Sequence, residues 1–108
     1  MSEPRAASGL LVFALVRLVE AKGGSAMVLA KGDATAGAIL LALADRGVDG
    51  PLLERSFGPG GYEWRETGPA DLSERTTYLA NRRRTDPDLW IVEIDHADAR
   101  TIALELLA

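Results

Sequence analysis

The sequence predicts an α+β domain in which one antiparallel sheet, a four-strand meander followed by a C-terminal hairpin, carries two helices on one face. Three observations support this fold class. Asp86 to Asp95 holds β-branched and aromatic residues behind Pro87, which is typical of a strand. Residues 10–19 are apolar and are followed by Gly23-Gly24, which is typical of a helix and its end. The other strand-forming runs are separated by sequences rich in turn residues.

The first helix is predicted from Ser8, which can cap it, to about Lys22. Its charged positions are Arg17, Glu20 and Lys22, so apolar residues occupy nearly all of its circumference. A helix of this composition is usually covered on more than one side. A strand over residues 10–16 also fits the apolar run, and the length of the segment and the glycines after it favour the helix.

The next two strands are predicted over Ala26 to Lys31 and over Ala36 to Ala44, joined into an antiparallel hairpin by the turn at residues 31–35. The second strand is apolar at both parities, so we expect it to be buried on both faces of the sheet. In a small domain such a strand needs a second covering layer, which is either helices on both sides or another subunit.

A second hairpin is predicted from Leu52 to Phe57 and Tyr62 to Thr67, around Gly58-Pro59-Gly60-Gly61. The second helix is predicted from Asp71, with Glu74 in the position of a capping-box partner, to about Arg84.

In the strand that follows Pro87, we expect Trp90, Val92 and Ile94 to face a core because they share one parity. Thr101 to Leu107 is predicted as a returning strand, since Ile102, Leu104 and Leu106 also alternate.

Composition restricts the possible functions. A chain of 108 residues, 47% of them hydrophobic, is expected to form one domain. The net charge of -4 argues against nucleic acid as a partner, because that affinity depends on accumulated Lys and Arg. The absence of cysteine excludes disulfides and thiolate metal sites. We expect a cytoplasmic protein that does not enter the membrane, since Arg17 interrupts the signal-like apolar run behind Arg5.

The strings Lys31 to Ile39 and Asp86 to Ile94, with the order of the predicted elements, resemble a small bacterial family, DUF1491 (domain of unknown function 1491). The resemblance covers nearly the whole chain, and Asp86-Pro87-Asp88-Leu89-Trp90 is its most specific part. It implies one compact bacterial domain and implies no activity.

Several polar and aromatic side chains could converge on a cleft between the second helix and the sheet. The candidates for such a ligand site are Arg65, Arg83, Asp86, Asp88, Trp90, Glu93 and His96. No catalytic residue is assigned among them, and no metal or cofactor is expected. Trp64 and Trp90 could line a pocket with Arg65, although aromatic residues at alternate strand positions more often belong to a core.

Four carboxylates within ten residues could bind a hard cation, yet their spacing fits no calcium loop. In the structural alternative, Asp86 and Asp88 cap the corner between helix and strand, while Glu93 and Asp95 pair with arginines of the sheet or of the last turn. His96 is the one imidazole of the chain and lies in a predicted turn, where such a side chain is usually solvated.

The leading functional hypothesis is a non-catalytic domain that forms a homo-oligomer, most simply a homodimer, or binds a protein partner. It rests on the first helix and second strand, which carry more apolar surface than a two-layer domain can cover. The rival hypothesis is a small enzyme or ligand-binding protein that uses the cleft. Nucleic-acid binding through Arg82-Arg83-Arg84 is disfavoured, because adjacent helical residues spread over about 200° of the surface.

Overall fold

The computed structural model describes residues 7–106, apart from the side chain of Phe57. Its elements are α1 (Ser8–Ala21), β1 (Ser25–Ala30), β2 (Ile39–Asp45), β3 (Val48–Gly58), β4 (Gly61–Thr67), a 3-10 turn (Leu72–Glu74), α2 (Arg75–Thr85), β5 (Trp90–Asp95) and α3 (Ala99–Leu104). The five strands form one sheet in the order β1-β5-β2-β3-β4. The α+β class is therefore confirmed.

The predicted antiparallel meander is wrong, because the sheet is mixed. β5 lies between β1 and β2 and runs parallel to β2, with Ile39 opposite Trp90 and Ala44 opposite Asp95. β1 pairs antiparallel with β5, so β1 and β2 do not form the predicted hairpin. Two apolar strands joined by turn residues can pair with each other as a hairpin, or they can lie on either side of a third strand. The sequence of the short loop does not distinguish the two arrangements.

The prediction of a returning strand after residue 100 is also wrong, because this segment forms α3. Ala99, Ile102 and Ala103 are buried, at the spacing of three and four that defines one side of a helix, whereas Leu104 is exposed. Alternation over so few residues fits a strand and a helix equally well. Leu107, at the end of the predicted strand, lies outside the described residues. The described chain thus has three α-helices instead of two and no C-terminal hairpin.

The hairpin of β3 and β4 is confirmed, with Leu52 opposite Thr67 and Gly58 opposite Gly61. β2 and β3 form a further hairpin around Arg46 and Gly47, whose φ angles are 54° and 79°. Positive φ at both central residues defines the two-residue turn that suits the twist of antiparallel strands.

The helices cover both faces of the sheet, instead of the one face predicted. α1 and α3 pack against the face that includes Leu41, Val92 and Ile94. Tyr78 and Leu79 of α2 pack against the opposite face. All residues of β2 from 39 to 44 are buried between these layers. β2 could be covered by helices on both sides or by another subunit, and the chain itself supplies the helices.

α1 begins and ends close to the predicted residues, although Ser8 does not cap it. Ala7 is the N-cap residue, and the Ser8 hydroxyl instead donates a 2.6 Å hydrogen bond to the carbonyl of Gly37. Gly23 follows the helix with φ of 87°, a conformation that favours glycine.

The two strings that carry the family resemblance are in contact. The Asp33 amide donates a 3.0 Å hydrogen bond to the Asp88 carbonyl, and Trp90 Nε1 donates a 2.7 Å bond to the Asp33 carbonyl. A Cβ atom at Gly32 or at Gly37 would overlap the Asp88 carbonyl oxygen. The loop before β2 therefore closes on the corner before β5 at a distance that only glycine permits at these two positions.

Candidate functional site

β1 is an edge strand that lacks the protecting side chains usual at an edge. It pairs with β5 along one side, and no other described strand pairs with it. Its sequence, Ser-Ala-Met-Val-Leu-Ala, contains no charge and no proline. Met27, Val28 and Leu29 are 62%, 40% and 47% exposed. Edge strands normally carry charged residues or proline, which prevent pairing with a second molecule.

A bulge limits the regular part of this edge. The pairing register with β5 shifts between Val28 and Ala30, which leaves Leu29 as the extra residue. Residues 25–28 therefore keep regular strand geometry on β1.

The opposite edge of the same sheet is protected in the usual way. β4 carries three exposed charged residues, Glu63, Arg65 and Glu66, and Glu66 pairs with Arg100 at 3.3 Å. Arg65, one of the predicted site residues, thus lies on this charged edge. The contrast within one sheet marks β1 as the edge available for pairing.

Two large apolar residues of α1 are exposed. Leu10 and Phe13 are 68% and 65% exposed. Leu11 lies on the side of the helix that meets Trp64 of β4. Phe13 is two residues further on and therefore about 160° around the helix axis from Leu11. Phe13 therefore lies away from the side of α1 that meets β4.

A cleft of about 340 Å³ lies between α2 and the β1–β5 part of the sheet. Its apolar surface comes from Leu29, Ala30, Leu79, Ala80 and Ile91. This is the cleft between helix and sheet that the sequence predicts, and two of the seven predicted site residues line it.

Those two residues are Arg83 of α2 and Glu93 of β5, both half-buried. Arg83 Nη1 donates a 2.5 Å hydrogen bond to the Leu89 carbonyl. The side chain of Glu93 forms no hydrogen bond or ion pair within residues 7–106, and in particular none with Arg83.

A third charged side chain at the cleft, Arg75, is occupied by the backbone. Arg75 is 5% exposed and donates to the carbonyls of Leu43 at 3.0 Å and Gly50 at 2.7 Å, with Asp49 at 3.6 Å. The β2–β3 ladder is irregular here, and Pro51 has no N–H to offer the Leu43 carbonyl. This role is not apparent from the sequence, because β3 extends over Pro51 and begins at Val48 instead of at the predicted Leu52.

The three consecutive arginines do not form one basic patch. Arg82 binds both carboxylate oxygens of Glu54, at 2.7 and 2.9 Å, and these hydrogen bonds raise the pKa of Arg82 above its ordinary value. Arg83 faces the cleft, and Arg84 donates to the side chain of Asn81 at 2.6 Å.

Asp86 and Asp88 lie at the corner before β5, and Trp90 is the first residue of that strand. The Asp86 carboxylate accepts the Asp88 amide at 3.1 Å, the Asp88 carbonyl accepts Asp33, and Trp90 is buried in the core beneath α1. These contacts hold the backbone of the corner and do not line the cleft.

Asp95 does not pair with an arginine side chain as expected. Its two carboxylate oxygens accept the amides of Arg46 and Gly47, at 2.7 and 2.9 Å. β5 thereby holds the turn between β2 and β3, a contact that spacing along the sequence did not reveal.

His96 lies in a separate recess at the carboxyl end of β5. Its Nδ1 accepts the Asp98 amide at 2.8 Å, so Nε2 carries the proton that is donated to the Lys22 carbonyl at 3.0 Å. The neutral ring thus joins the end of α1 to the turn before α3. In residues 7–106, no three His, Asp or Glu side chains are grouped so that they could hold a metal ion.

Together these features define a three-layer α+β domain with a mixed five-stranded sheet, one protected edge and one unprotected edge. A family model described as "Protein of unknown function (DUF1491)" matches residues 6–104. The chain belongs to this family, which confirms the resemblance inferred from the sequence.

Solved structures of related proteins have the same fold. The chain is similar to a DUF1491 family protein from Caulobacter crescentus CB15, whose crystal structure matches with a TM-score of 0.77 and 32% identity over 89% of this chain and 92% of that chain. An NMR structure of a DUF1491 family protein from the same organism matches with a TM-score of 0.75 and 33% identity, over 89% of this chain and 90% of that chain.

The solution structure of protein Atu0922 from A. tumefaciens gives a TM-score of 0.62 and 33% identity, over 85% of this chain and 86% of that chain. None of the curated proteins matches the chain. Among the described residues, no helix has the length and apolar character that crossing a membrane requires.

Proposed function

We propose that this protein is a non-catalytic domain that associates with itself, forming a homodimer by antiparallel pairing of two β1 strands. The observation that carries the proposal is the contrast between the two edges of the sheet. β1 is uncharged and exposes Met27, Val28 and Leu29, whereas β4 is charged. An unprotected apolar edge is a template for pairing with another strand.

Two copies of one strand can pair with each other under two-fold symmetry, because antiparallel pairing makes the two edges equivalent. The regular residues 25–28 supply the backbone groups, and Phe13 adds apolar surface on the α1 side. A contact based on one short strand falls at the low end of specific interfaces, about 1,200 Å² or less, so we expect a dimer that dissociates on dilution.

Light scattering with size exclusion, from micromolar to millimolar concentration, tests the proposal. We expect the mass to rise with concentration for the natural chain. Met27→Lys places a charge on the edge and should give a monomer throughout, whereas Val48→Lys changes an equally exposed apolar residue at the β2–β3 turn and should leave dimerisation intact. A natural chain that stays monomeric, or a Met27→Lys protein that still dimerises, would contradict the proposal.

A second candidate function is the binding of a small molecule in the cleft beneath α2. It is favoured by Arg83 and Glu93, which line the same apolar cleft without pairing with each other. The proposed site is therefore smaller than the seven residues considered from the sequence.

A further inference from the structure

We propose that the cleft between α2 and the β1–β5 part of the sheet binds a small zwitterionic ligand with an apolar side chain, its ammonium group at Glu93 and its carboxylate at Arg83.

Glu93 supplies the site for a cation. Its carboxylate is half-buried on the cleft side of β5 and has no partner within the described residues. Met27, which lies opposite Glu93 on β1, offers no charge and no polar hydrogen. Removing a carboxylate from water without a partner costs free energy, so binding an ammonium group there is favoured.

Arg83 supplies the site for an anion. One guanidinium nitrogen, Nη1, is held by the Leu89 carbonyl, which fixes the position of the group beside the cleft. Nη2 and Nε have no hydrogen-bond partner within residues 7–106. The planar guanidinium presents paired donors that match the two oxygens of a carboxylate.

The charges of the cleft favour a ligand that carries both signs. Arg75 and Asp49 also line the cleft, but they pair with each other at 3.6 Å, and Nη1 of Arg75 donates to two backbone carbonyls as well. One positive group and one negative group are left, Arg83 and Glu93. A simple anion would be attracted by Arg83 and repelled by Glu93. A simple cation would be attracted by Glu93 and repelled by Arg83.

The apolar surface and the volume limit the size of the ligand. Ala30, Leu79 and Ile91 present aliphatic surface between the two charged groups. A volume of about 340 Å³ lies at the small end of the range of about 300–1,000 Å³ that ligand sites occupy. A free amino acid with an aliphatic side chain therefore fits the cleft in charge, polarity and size.

Three probes with the same branched carbon chain separate the contributions of the two charges. Leucine carries both groups, 3-methylbutylamine carries the ammonium alone, and 4-methylpentanoate carries the carboxylate alone. Each is titrated into the isotopically labelled protein, and the amide shifts of Ala30, Ala80 and Ile91 are followed by NMR. We expect leucine to shift these amides at lower concentration than either singly charged probe.

Variants of the two charged residues complete the test. Glu93→Gln and Arg83→Gln should each weaken leucine binding by about tenfold or more, because each removes a charge-assisted hydrogen bond. Glu63→Gln and Arg84→Gln change the same residue types on exposed surface outside the cleft and should leave binding unchanged. If Arg83→Gln fails to fold, Arg83→Lys keeps the charge, removes the paired donors and should weaken binding as well.

Three outcomes would overturn the inference: no shift with leucine, equal binding of a singly charged probe, or no effect of Glu93→Gln. The same titration of Val28→Lys separates this inference from the proposed dimer. This change also places a charge on the β1 edge and should prevent dimerisation, but Val28 lies opposite Val92 on the α1 side of the sheet and does not line the cleft, so the zwitterion should bind that variant with unchanged affinity.

Discussion

Nη1 of Arg75 donates a 3.0 Å hydrogen bond to the carbonyl oxygen of Leu43, from the first turn of α2 into the ladder between β2 and β3. The same nitrogen donates to the Gly50 carbonyl at 2.7 Å. The Arg75 side chain thus supplies the hydrogen-bond donor that Pro51 lacks at this place in the ladder. This contact also fixes the position of α2 over the sheet, and with it one wall of the cleft.

Replacing this arginine should destabilise the domain more than replacing an exposed arginine of the same helix. Arg75→Met keeps much of the aliphatic volume and leaves the buried Leu43 carbonyl and the half-buried Gly50 carbonyl without this donor, so we expect a loss of about 3 kcal/mol in the free energy of unfolding. Arg84→Met removes a contact with exposed Asn81 and should change the free energy of unfolding by less than about 0.5 kcal/mol. Urea denaturation measures both, and equal effects would contradict the structural role given to Arg75.

The glycine contacts around the Asp88 carbonyl give a second prediction. Gly37→Ala places a methyl group on that oxygen, so the loop or the corner must move, and we expect a loss of about 2 kcal/mol in the free energy of unfolding. Gly60→Ala is the matched control, because a Cβ atom there meets open space. Thermal and urea unfolding of the two variants test this, and a Gly37→Ala protein as stable as the Gly60→Ala protein would show that the loop adjusts freely.

The start of the 3-10 turn gives a prediction about pH. The Asp71 carboxylate accepts the Ser73 amide at 2.9 Å, and hydrogen bonds from Ser73 lower the pKa of Asp71 below its ordinary value of 3.8. A lowered pKa in the folded state means that the ionised form is stabilised by folding. The stabilisation is therefore complete above the unfolded value and is lost as the pH falls through the folded one.

Asp71→Ala should accordingly lower the melting temperature at neutral pH, and the difference from the natural chain should shrink as the pH falls below 3.8. Asp98→Ala serves as the control, because Asp98 is the residue before α3 but its side chain caps no amide there. Melting curves by circular dichroism from neutral to acidic pH measure the difference. If the difference in melting temperature between the natural chain and Asp71→Ala stays constant with pH, the charge of the Asp71 carboxylate does not contribute to stability.

The sequence predicted correctly the features that local chemistry determines. Pro87 and the alternation of Trp90, Val92 and Ile94 placed β5 and the side of it that packs against α1, because side chains of a strand alternate between its two faces. Gly23, with its positive φ, explains why the end of α1 agrees with the prediction.

The sequence failed where distant segments meet. Nothing in the turn at residues 31–35 shows that its backbone packs on Asp88 instead of closing a hairpin. β5 lies between β1 and β2, so the wrong hairpin and the wrong meander have one cause.

Excess apolar surface was expected on α1 and β2 and lies instead on α1 and β1. α2 covers the second face of β2, while Met27, Val28 and Leu29 stay exposed at the edge. Of the predicted ligand site, the sequence identified Arg83 and Glu93 as polar residues near one cleft. It could not identify Arg75, whose role depends on a carbonyl freed by an irregular ladder.

The central place of β5 has a consequence for how the chain folds in the cell. β5 is synthesised after the other described strands, yet it separates β1 from β2. Until residues 90–95 leave the ribosome, β1 has no neighbouring strand and β2 has β3 alone. Proteins generally fold in units as they are synthesised, and unpaired strands expose apolar edges during that time. We therefore expect nascent chains shorter than this point to depend on chaperones, and the sheet to assemble only once its fifth strand has been translated.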